Sequence, residues 1–485
     1  MFRTMKCIML GIAFVCLGAL APAGPAFSDS TDRVVFEVGA DTPVVGSGAV
    51  RRVIVRVLVR PERRSEYVRA PLAVALVLDK SGSMASDGKM ENAKRGALEA
   101  LKMLDPDDVA AIVIYDDRAS VLVKARPVGR GAEEPVFLRA VSRLRPGGMT
   151  ALYDGVVAGA RQLAPFVAEG YIPRIVLLSD GIANIGPSTT EELARLGRDL
   201  ARREMTITTI GLGLDYHEDL MTALASESGG NAYFARTSRM LPEIFSRDME
   251  DAVTLTARKV RFLLRGLDGA RPVRIIGRSG RLSGNSLEVS IDNLYGTEKY
   301  ALIEMEIPEG EPGALLEAAE IVLEYTDPVS GEIVRQKAPL QISFTGEESE
   351  VEKNRRPEIV SQAAIARNAE IREEAVRLAD EGKAREAAQM LGQRTKELRM
   401  LAPAAGAAAP AMEKESGYFE DLAESLLSTG SLSNTERKEV LNEAYMQKTQ
   451  QAPVKKGSDD TGSKDQDEDG SEEEQADDEE EEDDQ

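Results

Sequence analysis

Residues 72–89 read LAVALVLDKSGSMASDGK. An unbroken apolar run from Leu72 to Leu78 gives way at once to Asp79, a lysine, and two serines around Gly82. A run of that length, bounded by turn residues, predicts a strand buried on both faces, as in a parallel sheet covered by helices. A plain turn asks for Gly, Asn or Pro. It does not ask for a carboxylate and two hydroxyls. In an open α/β sheet, ligands bind in the crevice at the carboxyl ends of the strands. Asp79, Ser81 and Ser83 are therefore candidate ligands at such an end.

Working outward, three more apolar runs follow: VAAIVIY at 109–115, RIVLLSD at 174–180 and TITTIGLG at 206–213. Helical patterns at 89–104, 190–203, 217–229 and 238–250 are interleaved with them. Apolar strands alternating with amphipathic helices predict an α/β unit over residues 71–252 with a mostly parallel sheet and helices on both faces. Residues 109–115 and 120–124, turning at Asp116 to Ala119, read as a hairpin that adds an antiparallel edge. Two further loops should reach the crevice. RPGGMTALYDG offers Thr150 after two glycines, and IVLLSDG is a second apolar strand ending in a carboxylate, Asp180. The five candidates, Asp79, Ser81, Ser83, Thr150 and Asp180, present only oxygen. That donor set suits a hard cation, Mg²⁺ first, with Ca²⁺ and Mn²⁺ as alternatives. Two aspartates at most balance a divalent ion. A partner's Glu or Asp could then complete the octahedron, with no bond broken.

The pattern DxSGS with Thr150 and Asp180 resembles the metal-ion-dependent adhesion site of von Willebrand factor type A (VWA) domains. The order and strand contexts agree across residues 71–252. The resemblance implies a Rossmann-like fold and a metal-dependent protein-binding role, with no enzymatic activity. The competing reading is a degenerate domain that keeps the fold and binds no metal. The wider layout, over residues 40–345, is similar to inter-alpha-trypsin inhibitor heavy chains and exported bacterial relatives, which combine such a domain with flanking β structure.

The flanks read as strands. In VRRVIVRVLVR, Val53, Val55, Val57 and Val59 share one face; in YALIEMEI, Ala301, Ile303, Met305 and Ile307 do; in EIVLEY, Ile321, Leu323 and Tyr325 do. An isolated hairpin is only marginally stable. Strands in 31–70 are thus expected to pair with those in 253–346, making one β-sandwich into which the α/β unit is inserted. Residues 347–449 read as helical: a hairpin over 357–401 turning at Gly382, an Ala/Pro linker at 402–411, then one or two helices over 417–446. Residues 450–485 are poor in apolar residues, and a disordered acidic tail is expected there.

The N-terminus has the three parts of a secretory signal over residues 1–26: basic Arg3 and Lys6, an apolar core from Cys7 to Leu20, and cleavage options after Ala23 or Ala26. An uncleaved anchor is the alternative. A lipoprotein is disfavoured because Val15 precedes Cys16. Both cysteines, Cys7 and Cys16, fall in this stretch, so the mature chain is expected to lack thiols. These features point to export, to the periplasm or cell surface of a bacterium, with no membrane span after cleavage.

The net charge of −22 is unevenly placed. Residues 459–485 carry 17 acidic residues against one Lys, leaving only −6 on the rest. No basic face suggests nucleic acid. A phosphate loop is imitated by GSMASDGKM, but the gap between Gly82 and Gly88-Lys89 is one residue too long, and Met90 stands where a Ser or Thr would hold Mg²⁺. No nucleotide site is therefore read. DQDEDG, 465–470, copies half a calcium loop, but position twelve is Ala476. His217, the single histidine, reads as a solvated residue at a helix start, and HExxH is excluded. Two functions remain. One is an exported module whose Mg²⁺ bridges to an acidic residue on a protein partner. The other is an envelope scaffold whose metal only stabilises the fold, with binding through the C-terminal helices.

Overall fold

A computed structural model describes residues 33–62, 69–129 and 134–451. The expected signal peptide and nearly all of the expected acidic tail lie outside the described residues.

The chain begins with β1 (Val34–Ala40), β2 (Val44–Gly46) and β3 (Arg51–Pro61). It then enters the α/β unit through β4 (Leu72–Asp79), α1 (Lys89–Lys102), β5 (Val109–Tyr115), β6 (Ala119–Pro127), α2 (Pro135–Ser142) and α3 (Leu152–Val167). The unit closes with β7 (Ile172–Ser179), α4 (Thr190–Arg202), β8 (Thr206–Leu212), α5 (Glu218–Ser228), β9 (Ala232–Ala235) and α6 (Leu241–Val253). Its sheet runs β6-β5-β4-β7-β8-β9, with β6 antiparallel to β5 and the other pairings parallel. Every residue of β4, β5 and β7 is buried, because helices cover both faces. Leu76 and Leu78 pack toward α1, α2 and α6. Ala75 and Val77 pack toward α3, α4 and α5. Gly155 and Gly159 let α3 lie directly on the sheet: a Cβ at either would come within 2.8 Å of Tyr115 or Val77.

The chain then returns to β structure: β10 (Ala257–Gly266), β11 (Arg271–Ile276), β12 (Arg281–Ser283), β13 (Ser286–Leu294), β14 (Lys299–Ile307), β15 (Leu315–Thr326) and β16 (Ile333–Thr345). Two sheets form, β1-β3-β14-β11 and β12-β13-β10-β15-β16-β2. The strands before the α/β unit thus pair with those after it. Val57 lies opposite Ala301, Val55 opposite Ile303 and Val53 opposite Met305, and all six point into one sandwich core. Period-two patterning fixes this register, since a slip of one residue would turn the valines to solvent and bury Arg52 and Arg56.

A buried ion pair of the α/β unit also reaches the sandwich. Arg174 of β7 donates from Nε to Asp248 of α6 at 2.9 Å and from Nη2 to Thr208 of β8 at 3.2 Å. Its Nη1 reaches the Tyr295 hydroxyl, just past β13 of the sandwich, at 3.2 Å.

The C-terminal region contains α7 (Glu348–Asn354), α8 (Pro357–Asp380), α9 (Ala384–Leu401), α10 (Ala409–Thr429) and α11 (Asn434–Thr449). α8 and α9 form the expected hairpin around Gly382. The stretch expected as an Ala/Pro linker is instead a 3₁₀ segment, 402–408, that runs into α10, because its small side chains tuck Ala402 and Ala405 under the neighbouring helices. Ile359, Ala363 and Ala366 of α8 pack on Ile276 and Leu302 of the sandwich. α11 lies along β9, where Tyr445 packs on Ala225 and Ala232, so the sheet edge is covered rather than left open. Lys438 of α11 donates to the Tyr216 carbonyl at 2.7 Å, pairs with Glu218, and sits 4.3 Å above the Tyr216 ring. Burial pulls its ammonium down to about 8. Lys438→Met should lower unfolding stability by about 1.5–3 kcal/mol, the range for a hydrogen bond to a charged group. A urea midpoint indistinguishable from the parent would show that α11 is not anchored there.

Candidate metal centre

Strand β4 ends in Asp79, whose carboxylate is fully buried. Its Oδ1 accepts from the Ser81 amide at 2.8 Å, and its Oδ2 accepts from the Ser179 hydroxyl at 3.0 Å. The chain then turns through a short 3₁₀ segment, Gly82–Ala85, which presents Ser81 and Ser83 on one side. Their hydroxyls stand 3.0 Å apart. Ser83 Oγ donates to Asp180 Oδ1 at 2.6 Å, which ties the first loop to the end of β7. Thr150 enters from the loop before α3. Its amide donates to Asn184 Oδ1 at 2.9 Å, which fixes the backbone there. A Cβ at position 181 would lie 3.6 Å from Ser83 Oγ and 3.7 Å from Thr150 Oγ1, so Gly181 opens a small cradle between the two hydroxyls. Asp79, Ser81, Ser83, Thr150 and Asp180 thus come together from three loops at the carboxyl end of the sheet. Asp79, Ser81, Thr150 and Asp180 are buried, while Ser83 is exposed and marks the open side.

The electrostatics suit a cation. Burial pushes the Asp79 carboxyl up to about 6, and the nearby Asp180 charge pushes in the same direction against the hydrogen bonds from Ser81 and Ser179. Two carboxylates held this close in a desolvated place need positive charge. Part of it comes from Lys89, at the start of α1, whose Nζ donates to Asp180 Oδ2 at 2.9 Å. Among the described residues no three His, Cys, Asp or Glu side chains gather as a metal site. The cluster has two carboxylates and draws its other oxygens from hydroxyls. The residues present fit a divalent cation of the hard, oxygen-seeking kind.

Sequence reasoning missed Lys89 and Ser179. Lys89 was set aside with the failed phosphate loop, and Ser179 reads as the last residue of an apolar strand. A lysine ten residues after a buried Asp is a weak signal, but its place in the first turn of a helix aims it back at the strand ends. His217 is exposed at the residue before α5, outside the cluster.

Residues 73–247 match the sequence profile of the von Willebrand factor type A domain. The α/β unit is a VWA domain. Among curated relatives, an uncharacterised protein, sll0103, of Synechocystis is 26% identical over 293 residues, spanning 57% of this chain and 66% of that protein. Human inter-alpha-trypsin inhibitor heavy chain H3 is 28% identical over 171 residues, spanning 33% of this chain and 19% of its own length. The chain therefore matches between about a fifth and two thirds of these relatives. A solved von Willebrand factor type A protein from Catenulispora acidiphila aligns with 87% of this chain and 99% of its own, at a TM-score of 0.63 and 17% identity. The ArnB paralog VWA2 from Sulfolobus acidocaldarius aligns with 86% of this chain and 99% of its own, at 0.51 and 17%. At such identity the likeness is one of fold. It extends well past the VWA domain, into the sandwich and C-terminal helices.

Proposed function

We propose that this protein is an exported, divalent-metal-dependent protein-binding module. Asp79, Ser81, Ser83, Thr150 and Asp180 would hold Mg²⁺, with Ca²⁺ or Mn²⁺ as alternatives. The observation that carries the reading is the all-oxygen cluster assembled from three loops, closed below by buried carboxylates and open above at Ser83. Once bound, the ion supplies a Lewis-acidic position that a partner's carboxylate can fill. The chain's own part is to fix five oxygens, keep bulk water from the buried side, and leave one side accessible. Export, to the periplasm or cell surface, is supported by the N-terminal sequence. No helix among the described residues is long and apolar enough to cross a membrane.

The scaffold reading assigns partner binding to the C-terminal helices. Two of those helices have already spent apolar faces inside the molecule: α8 on the sandwich and α11 on the VWA domain. That favours the metal face as the docking side.

The two readings separate in one experiment. Proteins retained from envelope extract by the full chain are followed against temperature, with Mg²⁺ and with chelator, beside melting curves of the same samples. A bridging ion predicts release by chelator well below the melting transition. Thr150→Ala removes one neutral donor, and retention should weaken about tenfold, as for the loss of one ordinary polar contact. Excess Mg²⁺ should partly restore it. Retention that tracks melting and ignores chelator below the transition would decide for the scaffold.

A further inference from the structure

Beside the metal loops lies a groove of about 870 Å³ on the β6 side of the VWA domain. Lys80, Leu122, Val136, Arg139, Arg143 and Arg145 are among its lining residues. It is tied to the metal loops through the backbone. The Gly147 amide, two residues after Arg145, donates to the Lys80 carbonyl at 2.7 Å, and Lys80 follows Asp79 directly. Lys80 is neutralised by Asp116. The three arginines are not: Arg139 donates to the Pro135 carbonyl, Arg145 to the Ser142 and Leu144 carbonyls, and no carboxylate among the described residues pairs with any of the three. One acid, Glu134, also lines the groove. The sequence from Arg118 to Thr150 holds seven basic and two acidic residues, a net of +5 in a body whose net charge is −6. Elsewhere many arginines stand against carboxylates, as Arg52, Arg60, Arg261, Arg271 and Arg335 do on the sandwich. Apolar walls such as Leu122 and Val136 make the groove's field stronger than the same charges would make on an open surface.

The chain carries its own matching anion. From Asp465 to Gln485 there are 15 acidic residues and no basic one. Reach permits contact. α11 runs from Arg437, paired with Glu218 at the carboxyl end of β8, to Gln450, which bonds Tyr300 of the sandwich. Gln450 therefore lies on the side remote from the metal loops. A path from it to the groove must cover the length of α11, about 24 Å, and the width of a six-stranded sheet, also about 24 Å. The fourteen residues from Ala452 to Asp465 span at most about 50 Å when extended, and twenty more follow.

We propose that the acidic segment Asp465–Gln485 occupies the Arg139/Arg143/Arg145 groove of its own VWA domain and offers a carboxylate to the adjoining metal site, so that it competes with an acidic partner for the same face. The groove arm stands on charge and geometry alone, while the metal arm rests on the proposed function. A tethered ligand acts at an effective concentration in the millimolar range. An acidic partner must therefore displace it.

The test labels the full chain. With Cys7 and Cys16 changed to Ser, Ser142→Cys and Ser471→Cys provide two attachment points for a donor and an acceptor dye. Energy transfer should be high in 20 mM salt and fall at least twofold in 500 mM salt, where screening shortens to a few ångströms. Arg139→Gln/Arg143→Gln/Arg145→Gln should show the high-salt value throughout, with an unchanged melting curve, and Arg139→Glu/Arg143→Glu/Arg145→Glu should do the same. Transfer that is equal in parent and triple variants overturns the proposal. So does transfer between separately labelled chains that disappears on dilution, since the occupant is then a second copy. Mg²⁺ should raise transfer further in the parent and not in Asp180→Ala. If that increment alone is missing while the arginine dependence persists, the groove assignment holds and the metal reading fails.

Discussion

Replacing Asp180 with Ala is expected to abolish Mg²⁺ binding, weakening it by more than about a hundredfold. The carboxylate is fully buried and is the point where the loops meet: Ser83 donates to one of its oxygens and Lys89 to the other. Its removal halves the negative charge of the donor set. It also leaves the Lys89 ammonium without its partner beside the place a cation must enter. A charge-assisted contact contributes about 1.5–3 kcal/mol, which alone is ten- to a hundredfold; the orphaned lysine adds repulsion in the same direction. Excess Mg²⁺ should not rescue this variant, in contrast to Thr150→Ala. Asp79→Ala should behave alike, because Asp79 is the other charged donor and also orders Ser81 through its amide. Glu191→Ala, whose exposed carboxylate pairs with Arg195 and Arg198 on α4, serves as the control and should bind as the parent does. The measurement is calorimetric titration of the full chain with Mg²⁺, with circular dichroism to verify the fold. Parent-like binding by both Asp variants would remove these residues from the site.

The elements that could be read from the sequence are those where burial leaves a one-dimensional trace. β4, β5 and β7 are buried on both faces, so their apolar runs are unbroken. β3 and β14 are buried on one face, so they alternate. Other elements leave less. α3 carries Gly155 and Gly159 where the helix must approach Tyr115 and Val77, and Pro165 near its end, so its composition argues against a helix that packing imposes. β9 has four residues, too few for a period. α10 starts among alanines and prolines at Ala409, where composition suggests a linker and only contact with α8 and α9 makes a helix. The site divides in the same way. Its five oxygen donors lie at strand ends in recognisable spacing, whereas the contacts of Lys89 and Ser179 depend on how α1 and β7 sit against β4, which no local pattern records. The basic groove was hidden for a different reason: its arginines sit on the short α2 and the loop just after it, and a global count near neutrality for the body masks them.

Asp248→Ala should give the largest loss of stability of any single change considered. Arg174 and Asp248 are 2% and 0% exposed, so neither charge can recover solvation in the folded state. Asp248 accepts from Arg174 Nε, Arg174 Nη2 and the Thr208 hydroxyl. Truncating it removes the carboxylate bonded to a guanidinium held between β7, α6 and the sandwich, leaving Thr208 and Tyr295 as its hydrogen-bond partners and only the weaker field of Asp251 as opposing charge. Breaking a buried pair by removing one partner costs about 3–5 kcal/mol, because the remaining charge is uncompensated. For a unit of this size each kcal/mol moves the melting temperature by about 2–4 °C, so a fall of roughly 6–20 °C is expected in a thermal scan. Arg174→Met/Asp248→Leu should recover much of that fall, since removing both charges also removes their desolvation. The comparison isolates the stranded charge from lost packing, which the double variant shares. The exposed pair Arg195–Glu191 should leave the melting temperature almost unchanged under the same treatment, because solvent screens it. Arg174 also reaches Tyr295 of the sandwich, so the single variant should loosen the two units from one another and broaden the transition or split it in two. A double variant no more stable than Asp248→Ala would mean that the loss comes from packing around α6 and not from the unpaired guanidinium.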